Sequence, residues 1–254
     1  MYFFFHLFAG AVIGLLIGDI LHDRRWVLLC TFGAVIPDII DKTVGLLVFG
    51  DIFGYGRIFS HTLLAALALL VAGVATWKWL KSPIVMGIAV GVISHQVLDL
   101  MWRMPKIWLY PLYGPFQGNQ TAEFLFSITL RDLKNPSEIL LALLLFAGVL
   151  LVVYRDSIRS TFSRHTTAWR WLVTTGALGL GILSAACGLT GYLLLNRSTM
   201  KQTLGWITRT GLRSWTGWFR PEEYFIGCIL FFLAAYLLWR WRRLAVNTKI
   251  QKGC

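Results

Sequence analysis

Histidine and aspartate side chains recur in or beside the apolar segments of the first hundred residues of this chain. Ionisable groups are costly in such segments, so each is a candidate functional residue. Imidazole and carboxylate ligands without thiolates suit zinc, with manganese or iron as alternatives. The pattern therefore predicts a site for one or two divalent ions. The candidate ligands are His6, Asp38, Asp41, His61, His95 and Asp99.

The spacing of these residues brings them together in pairs if each segment is helical. Asp38 and Asp41 are three residues apart, whereas His95 and Asp99 are four apart. Arg57 and His61 are also four apart. Residues three or four apart share one face of a helix, so each pair is predicted to project in one direction.

Each candidate also has a structural interpretation. His95 and Asp99 could form a polar pair between packed helices, and Asp38 could be a turn residue after Pro37. Arg57 could pair with Asp38 or Asp41 rather than contact a ligand. By contrast, three residues next to two arginines are expected to form a solvated turn at the opposite end: Asp19, His22 and Asp23.

The composition places these residues in a membrane protein. Hydrophobic residues make up 57% of the 254 residues and charged residues only 14%, where soluble domains carry about 25%. A segment of about 20 apolar residues crosses a bilayer core, and only helices or closed barrels satisfy their backbone there. No alternating barrel pattern is present, so the predicted fold is an all-α polytopic transmembrane bundle.

About seven membrane segments are predicted, with a short or re-entrant segment near 26–50. Alternate threading of the first four brings the candidate ligands to one side of the membrane. The predicted segments are about 3–21, 26–41 (followed by the apolar stretch 44–50), 59–80, 83–102, 137–154, 169–195 and 222–241.

Two parts of one membrane domain are expected. Residues 1–115 form the metal-site core, and residues 116–254 add further helices. Between the last two segments, tryptophans alternate with arginines over 203–220. That mixture is typical of a segment in the headgroup layer.

The net charge of +12 is interpreted as a topology signal rather than a nucleic-acid footprint. Basic residues slightly favour the face away from the N-terminus, which the positive-inside rule makes cytoplasmic. The chain is thus expected in an inner or plasma membrane. Its C-terminus is predicted to be cytoplasmic and its metal site external.

Five short motifs in order resemble the LexA-regulated, membrane-bound metal-dependent hydrolases, the YdjM-like family. The resemblance covers roughly residues 1–115 and implies a metal-dependent hydrolase. One departure is that the two aspartates stand three apart, not two. The matching pieces are His6, the Gly-Ala-Val-Ile-Pro-Asp stretch 33–38 with Asp41, 57–62 (Arg-Ile-Phe-Ser-His-Thr), Ser94-His95 with Leu98-Asp99, and 110–112 (Tyr-Pro-Leu).

The same ligand order is more distantly similar to zinc-dependent phospholipases C and P1-type nucleases. This similarity implies hydrolysis of a phosphoester, in a lipid or lipid-linked substrate from the outer leaflet. Asp41 or Asp99 would take a proton from water or hold a ligating histidine. Arg57 would offset charge on the phosphoryl oxygens.

Three alternatives remain at this point. The same chemistry could cleave a lipid amide or ester. A metal or proton transporter would need polar groups continuing across the bilayer, which 169–195 and 222–241 lack. A non-catalytic scaffold would use the metal only to join four helices.

Overall fold

A computed structural model describes residues 3–113, 120–153, 166–195 and 221–250. Within these ranges the chain is helical and contains no strand, which confirms the predicted all-α class. The Trp/Arg segment 203–220 lies outside the described residues.

Eleven α-helices follow one another along the described chain, joined in places by short π and 3₁₀ turns. The α-helices are α1 Phe3–Ile20, α2 Arg25–Gly33, α3 Ile36–Lys42, α4 Gly50–Phe53, α5 Leu63–Leu80, α6 Ile84–Leu98, α7 Pro105–Trp108, α8 Ala122–Leu133, α9 Pro136–Val153, α10 Thr166–Leu195 and α11 Pro221–Ile250. A π turn covers Thr43–Val48, and 3₁₀ turns cover Phe59–His61 and Met101–Arg103.

The second predicted segment is divided into α2 and α3. Pro37 lies in the first turn of α3, a position that suits its missing N–H, so the break precedes it at Ala34 and Val35. The apolar stretch after α3 forms the π turn and the short helix α4 instead of one continuous span.

The predicted shared helix face of Arg57 and His61 is wrong. His61 lies in a 3₁₀ turn and α5 begins only at Leu63. The Thr62 hydroxyl caps α5 by accepting a hydrogen bond from the Ala65 amide at 3.1 Å. This cap stabilises the helix start and leaves Arg57 in an irregular stretch.

Glycines bring the backbones of α1, α2 and α6 into close contact. A Cβ at Gly10 would lie 2.7 Å from the Cys30 carbonyl oxygen, and one at Gly14 would lie 2.6 Å from the Trp26 carbonyl oxygen. A Cβ at Gly91 of α6 would lie 2.7 Å from the Ala34 amide nitrogen. Small residues four apart allow this packing in membranes, where lipid and side chains are equally apolar.

Among the described residues, three helices are long and apolar enough to cross a membrane. They are Phe3–Ile20, Leu63–Leu80 and Trp171–Tyr192, and shorter apolar helices accompany them. Helix α5 exposes Leu64, Val71 and Val74. An exposed apolar face of this kind is stable against lipid, so the described chain is a helical membrane bundle.

The chain divides into two compact units, Met1–Ala147 and Gly148–Cys254. The predicted division near residue 115 follows the extent of the motifs and stays a prediction. In the second unit α10 packs against α11, and the Ser184 hydroxyl donates a hydrogen bond to the Cys228 carbonyl at 2.8 Å. All candidate ligands belong to the first unit.

Candidate metal centre

His95 is held on α6 by the break between α2 and α3. Its Nδ1 lies 2.7 Å from the Ala34 carbonyl oxygen. The side chain is fully buried. Since a carbonyl oxygen can only accept, Nδ1 carries the hydrogen and Nε2 is left as the acceptor of a neutral ring.

His61 is oriented by Asp41. The His61 Nδ1 lies 2.7 Å from Asp41 Oδ2, and both side chains are fully buried. The backbone amides of Ile58, Ser60 and His61 donate to the same carboxylate at 2.7, 3.0 and 3.2 Å. The Ser60 hydroxyl donates to it as well. Asp41 therefore fixes the turn and the His61 ring together.

The two imidazoles point their remaining nitrogens at each other. His95 Nε2 lies 3.1 Å from His61 Nε2. Two acceptors at this separation repel each other unless a proton or a cation lies between them. The arrangement therefore favours a positive charge at this point.

Asp38 faces the histidine pair with a buried oxygen that has no hydrogen bond. Its Oδ1 lies 3.7 Å from His61 Nε2 and 3.9 Å from His95 Nε2. Such an oxygen is costly to bury. A metal ion would remove this cost, and a proton shared between the histidines would leave the oxygen without a bond.

The spacing of these atoms fits a small divalent ion. Tetrahedral zinc with bonds of roughly 2.0–2.2 Å separates its ligand atoms by roughly 3.3–3.6 Å. The separations among Asp38, His61 and His95 are 3.1, 3.7 and 3.9 Å, so small adjustments would bring all three atoms to bonding distance.

His6 and Asp99 complete a second group that also uses His95. His6 Nε2 lies 3.3 Å from Asp99 Oδ1, and the rings of His6 and His95 are 4.2 Å apart. One ligand atom from each of His6, His95 and Asp99 lies within 4.8 Å of the others. Because a single imidazole nitrogen binds one ion, two complete three-residue sites cannot share His95 at the same time.

Two cations lie beside the carboxylates. Arg57 Nε lies 2.6 Å from Asp99 Oδ2, and Lys42 Nζ lies 2.8 Å from Asp38 Oδ2. Lys42 leaves the other oxygen of Asp38 facing His61 and His95, whereas the Asp99 oxygen that contacts Arg57 also lies 3.8 Å from His61 Nε2 and 3.9 Å from His95 Nε2. These pairs lower the cost of burying the carboxylates.

All six predicted ligands are thus brought together, although not in equivalent positions. Asp41 lies on the far side of the His61 ring, with its oxygens already occupied by five donors. Of its two predicted roles, this position suits holding a ligating histidine. Arg57 contacts Asp99.

Lys42 and Gln96 were missed as site residues. Gln96 is buried; its amide donates to the Thr62 carbonyl at 2.9 Å, and it accepts from the Trp108 indole at 3.0 Å. This ties the His61 turn to α6. A polar residue next to His95 in an apolar helix was the available signal for Gln96, and the four-residue spacing from Asp38 was the signal for Lys42.

The turn at the opposite end of α1 is built as a surface ion pair. Asp23 accepts from the Arg25 amide at 3.0 Å and from its guanidinium. The side-chain hydrogen bond from Arg25 lowers the pKa of Asp23 below its usual value. The contacts match the solvated turn expected there.

The model of the YdjM inner membrane protein family matches residues 1–162, which include the whole His/Asp cluster and its supporting helices. Searches of curated proteins and of solved structures give no significant match. The resemblance inferred from the motifs is confirmed, and the chain belongs to the YdjM inner membrane protein family.

Proposed function

We propose that this protein is an integral-membrane metal-dependent hydrolase that cleaves a phosphoester of a lipid or lipid-linked substrate. The observation that carries the proposal is the facing pair His61 and His95, 3.1 Å apart at Nε2, beside the unbonded Asp38 oxygen. Buried groups of this kind are retained when they bind a ligand or do chemistry.

The donor set divides into holding and reacting groups. Asp38, His61 and His95 would hold the ion, zinc by preference. Asp41 would keep the His61 ring in place. When bound, the ion would lower the pKa of a nearby water and offset negative charge on the phosphoryl oxygens.

Asp99 is the group proposed to move the proton. Its Oδ1 faces His6, whereas its Oδ2 is paired with Arg57. Asp99 Oδ1 would take one proton from water while the water oxygen bonds to phosphorus and the P–O bond to the leaving alcohol breaks. The proton then passes to the departing oxygen, so the products are an alcohol and a phosphate.

The placement of the site supports a substrate from the bilayer. The cluster lies at the His6 end of α1 and at the Leu98 end of α6, and the segment that follows α3 in the chain, from the π turn to α4, exposes apolar side chains. These exposed side chains are Leu47, Val48, Phe49 and Ile52. A substrate with acyl chains would stay in lipid while its phosphate reaches the site, proposed to lie on the external face.

Metal analysis of the purified protein tests the site. We expect bound zinc in the parent protein. In His61→Ala and in His95→Ala the affinity for zinc should fall by a factor of roughly ten or more. His22→Asn is the matched control, because it removes an imidazole from the exposed turn and asparagine tolerates the positive φ of 53° there. Unchanged metal content in both alanine variants would refute the site.

A substrate screen in lipid nanodiscs tests the reaction. Phosphoester lipids should release a phosphorylated headgroup or inorganic phosphate, and chelation should stop the release. Fatty-acid release from amide or ester lipids would favour the alternative amidase or esterase activity. Metal-coupled uptake into proteoliposomes without any turnover would exclude the hydrolase.

A further inference from the structure

Lys42 and Arg57 lie on the same rim of the metal centre. Lys42 is the last residue of α3, and Arg57 precedes the 3₁₀ turn. Between them lies Gly56, where an added Cβ would stand 3.4 Å from Lys42 Cγ. The aliphatic stem of Lys42 therefore runs along the backbone next to Arg57.

The two cations are more accessible than the carboxylates they contact. The side chains of Lys42 and Arg57 are 18% and 24% exposed, whereas those of Asp38 and Asp99 are 5% and 6% exposed. A cation that served only to neutralise a buried carboxylate could be equally buried. An ammonium carries three N–H donors and a guanidinium five, and the ion pairs with Asp38 and Asp99 each engage one carboxylate oxygen, so both cations keep donors for a further partner.

The charges of the cluster indicate what that molecule carries. Three carboxylates (Asp38, Asp41 and Asp99) face two cations (Lys42 and Arg57), which sums to one negative charge with neutral histidines. A divalent ion changes this sum to one positive charge. The loaded centre therefore complements an anion, and neutral amide or ester lipids offer no such match.

We propose that Lys42 and Arg57 together bind the phosphate of the substrate, which makes Lys42 a specificity-determining residue for anionic phosphoesters. This inference rests on the proposed function, because it assumes that the centre is loaded with metal. Arginine would offer its planar fork to two phosphate oxygens, and lysine would act as a point charge on a third.

Phosphate binding to the metal-loaded protein tests the inference apart from turnover. Inorganic phosphate and dihexanoyl phosphatidic acid are titrated separately, to distinguish a free phosphate from a lipid headgroup. Loss of one charge-assisted hydrogen bond should weaken binding roughly tenfold to hundredfold in Lys42→Gln. Lys42→Arg should stay near the parent, and Lys42→Gln with Arg57→Gln should bind more weakly than either single variant.

The control is Lys106→Gln, which removes an exposed cation on α7 at the same end of the bundle. It should bind metal and phosphate as the parent does. Parent-like phosphate binding in Lys42→Gln overturns the inference. Loss of metal or of the fold in Lys42→Gln also overturns it, since Lys42 would then only hold Asp38 in place.

The two proposals fail in different ways. If the parent protein binds no metal, the proposed hydrolase function fails. If the parent binds metal and hydrolyses a substrate, but Lys42→Gln binds phosphate normally, only the role of Lys42 fails.

Discussion

At the scale of single residues, the site depends on histidine orientation more than on the number of ligands. His61 and His95 each have their Nδ1 engaged by a fixed acceptor, the Asp41 carboxylate for His61 and the Ala34 carbonyl for His95. Such outer partners fix the tautomer and raise the basicity of the ligand. The fold itself therefore orients the Nε2 atoms of His61 and His95 for metal binding.

Asp41→Asn tests this orientation of His61. The amide keeps the volume of the side chain but replaces one acceptor by a donor, and so it opposes either the His61 ring or the backbone amides of the turn. We expect metal affinity to fall roughly 10–100-fold, measured by competition with a chelating dye. Asp51→Asn, on an exposed residue of α4, is the control and should bind metal normally. Equal affinity in both variants would mean that Asp41 does not orient His61.

The predictability of the site also differs from residue to residue. The six ligand candidates could be identified because charged groups are rare in apolar segments and because their spacing matches helix geometry. The position of Asp41 behind His61 could not, since it depends on a 3₁₀ turn that sequence periodicity does not reveal. Lys42 was not predicted as a site residue, although its four-residue spacing from Asp38 was available, and the fold shows that its ammonium reaches Asp38.

At the scale of helices, close backbone packing sets the distances within the site. Helix α6 approaches the α2–α3 junction through Gly91, and His95 lies one turn further along the same helix. A larger side chain between α6 and the α2–α3 junction would move the His95 ring away from the Ala34 carbonyl. Gly91 therefore contributes to the metal centre indirectly, because it lets α6 come close enough for His95 to reach the Ala34 carbonyl.

Gly91→Ala is expected to damage stability and metal binding together. Its Cβ would lie 2.7 Å from the Ala34 amide nitrogen and closer still to the Cys30 carbonyl oxygen. Overpacking of this kind costs about 1–3 kcal/mol, which thermal unfolding in detergent would detect. Gly179→Ala in α10 meets nothing within 4 Å and should leave stability unchanged or slightly higher. Similar melting of both variants would show that α6 does not pack as tightly as described.

Long apolar runs made most helices predictable, because their length and composition alone satisfy the demands of a bilayer. The third predicted segment, 59–80, corresponds to α5 at Leu63–Leu80. The break at Ala34 and Val35 and the helix α8 were not predicted. The break directly precedes Pro37, and α8 lies between the predicted fourth and fifth segments, where its 12 residues are too few to be recognised as a span.

At the scale of the whole molecule, the candidate metal centre belongs to one of the two units. The candidate ligands lie in the unit Met1–Ala147, and the family match covers residues 1–162. Membrane location follows from the family and from the apolar helices. The external position of the site is the remaining prediction, and it rests on the distribution of basic residues.

Cysteine labelling in cells tests this orientation. In a Cys254→Ser background, Lys106→Cys at the site end should react with a membrane-impermeant maleimide added outside. Lys78→Cys, near the opposite end of α5, should react only after the membrane is opened. The reverse pattern would place the site in the cytoplasm.

The contact between His95 and Ala34 has a consequence for sequence variation. The acceptor is a main-chain oxygen, available to His95 because the helix is interrupted at this point, so no substitution of residue 34 can remove it chemically. Residue 34 is restricted by volume instead, since the Ala34 side chain is fully buried and its Cβ lies 2.8 Å from where a Cβ of Gly10 would stand. Substitutions at position 34 would therefore weaken this half of the centre only by enlarging the side chain or by straightening the bend, and glycine should keep the contact with His95.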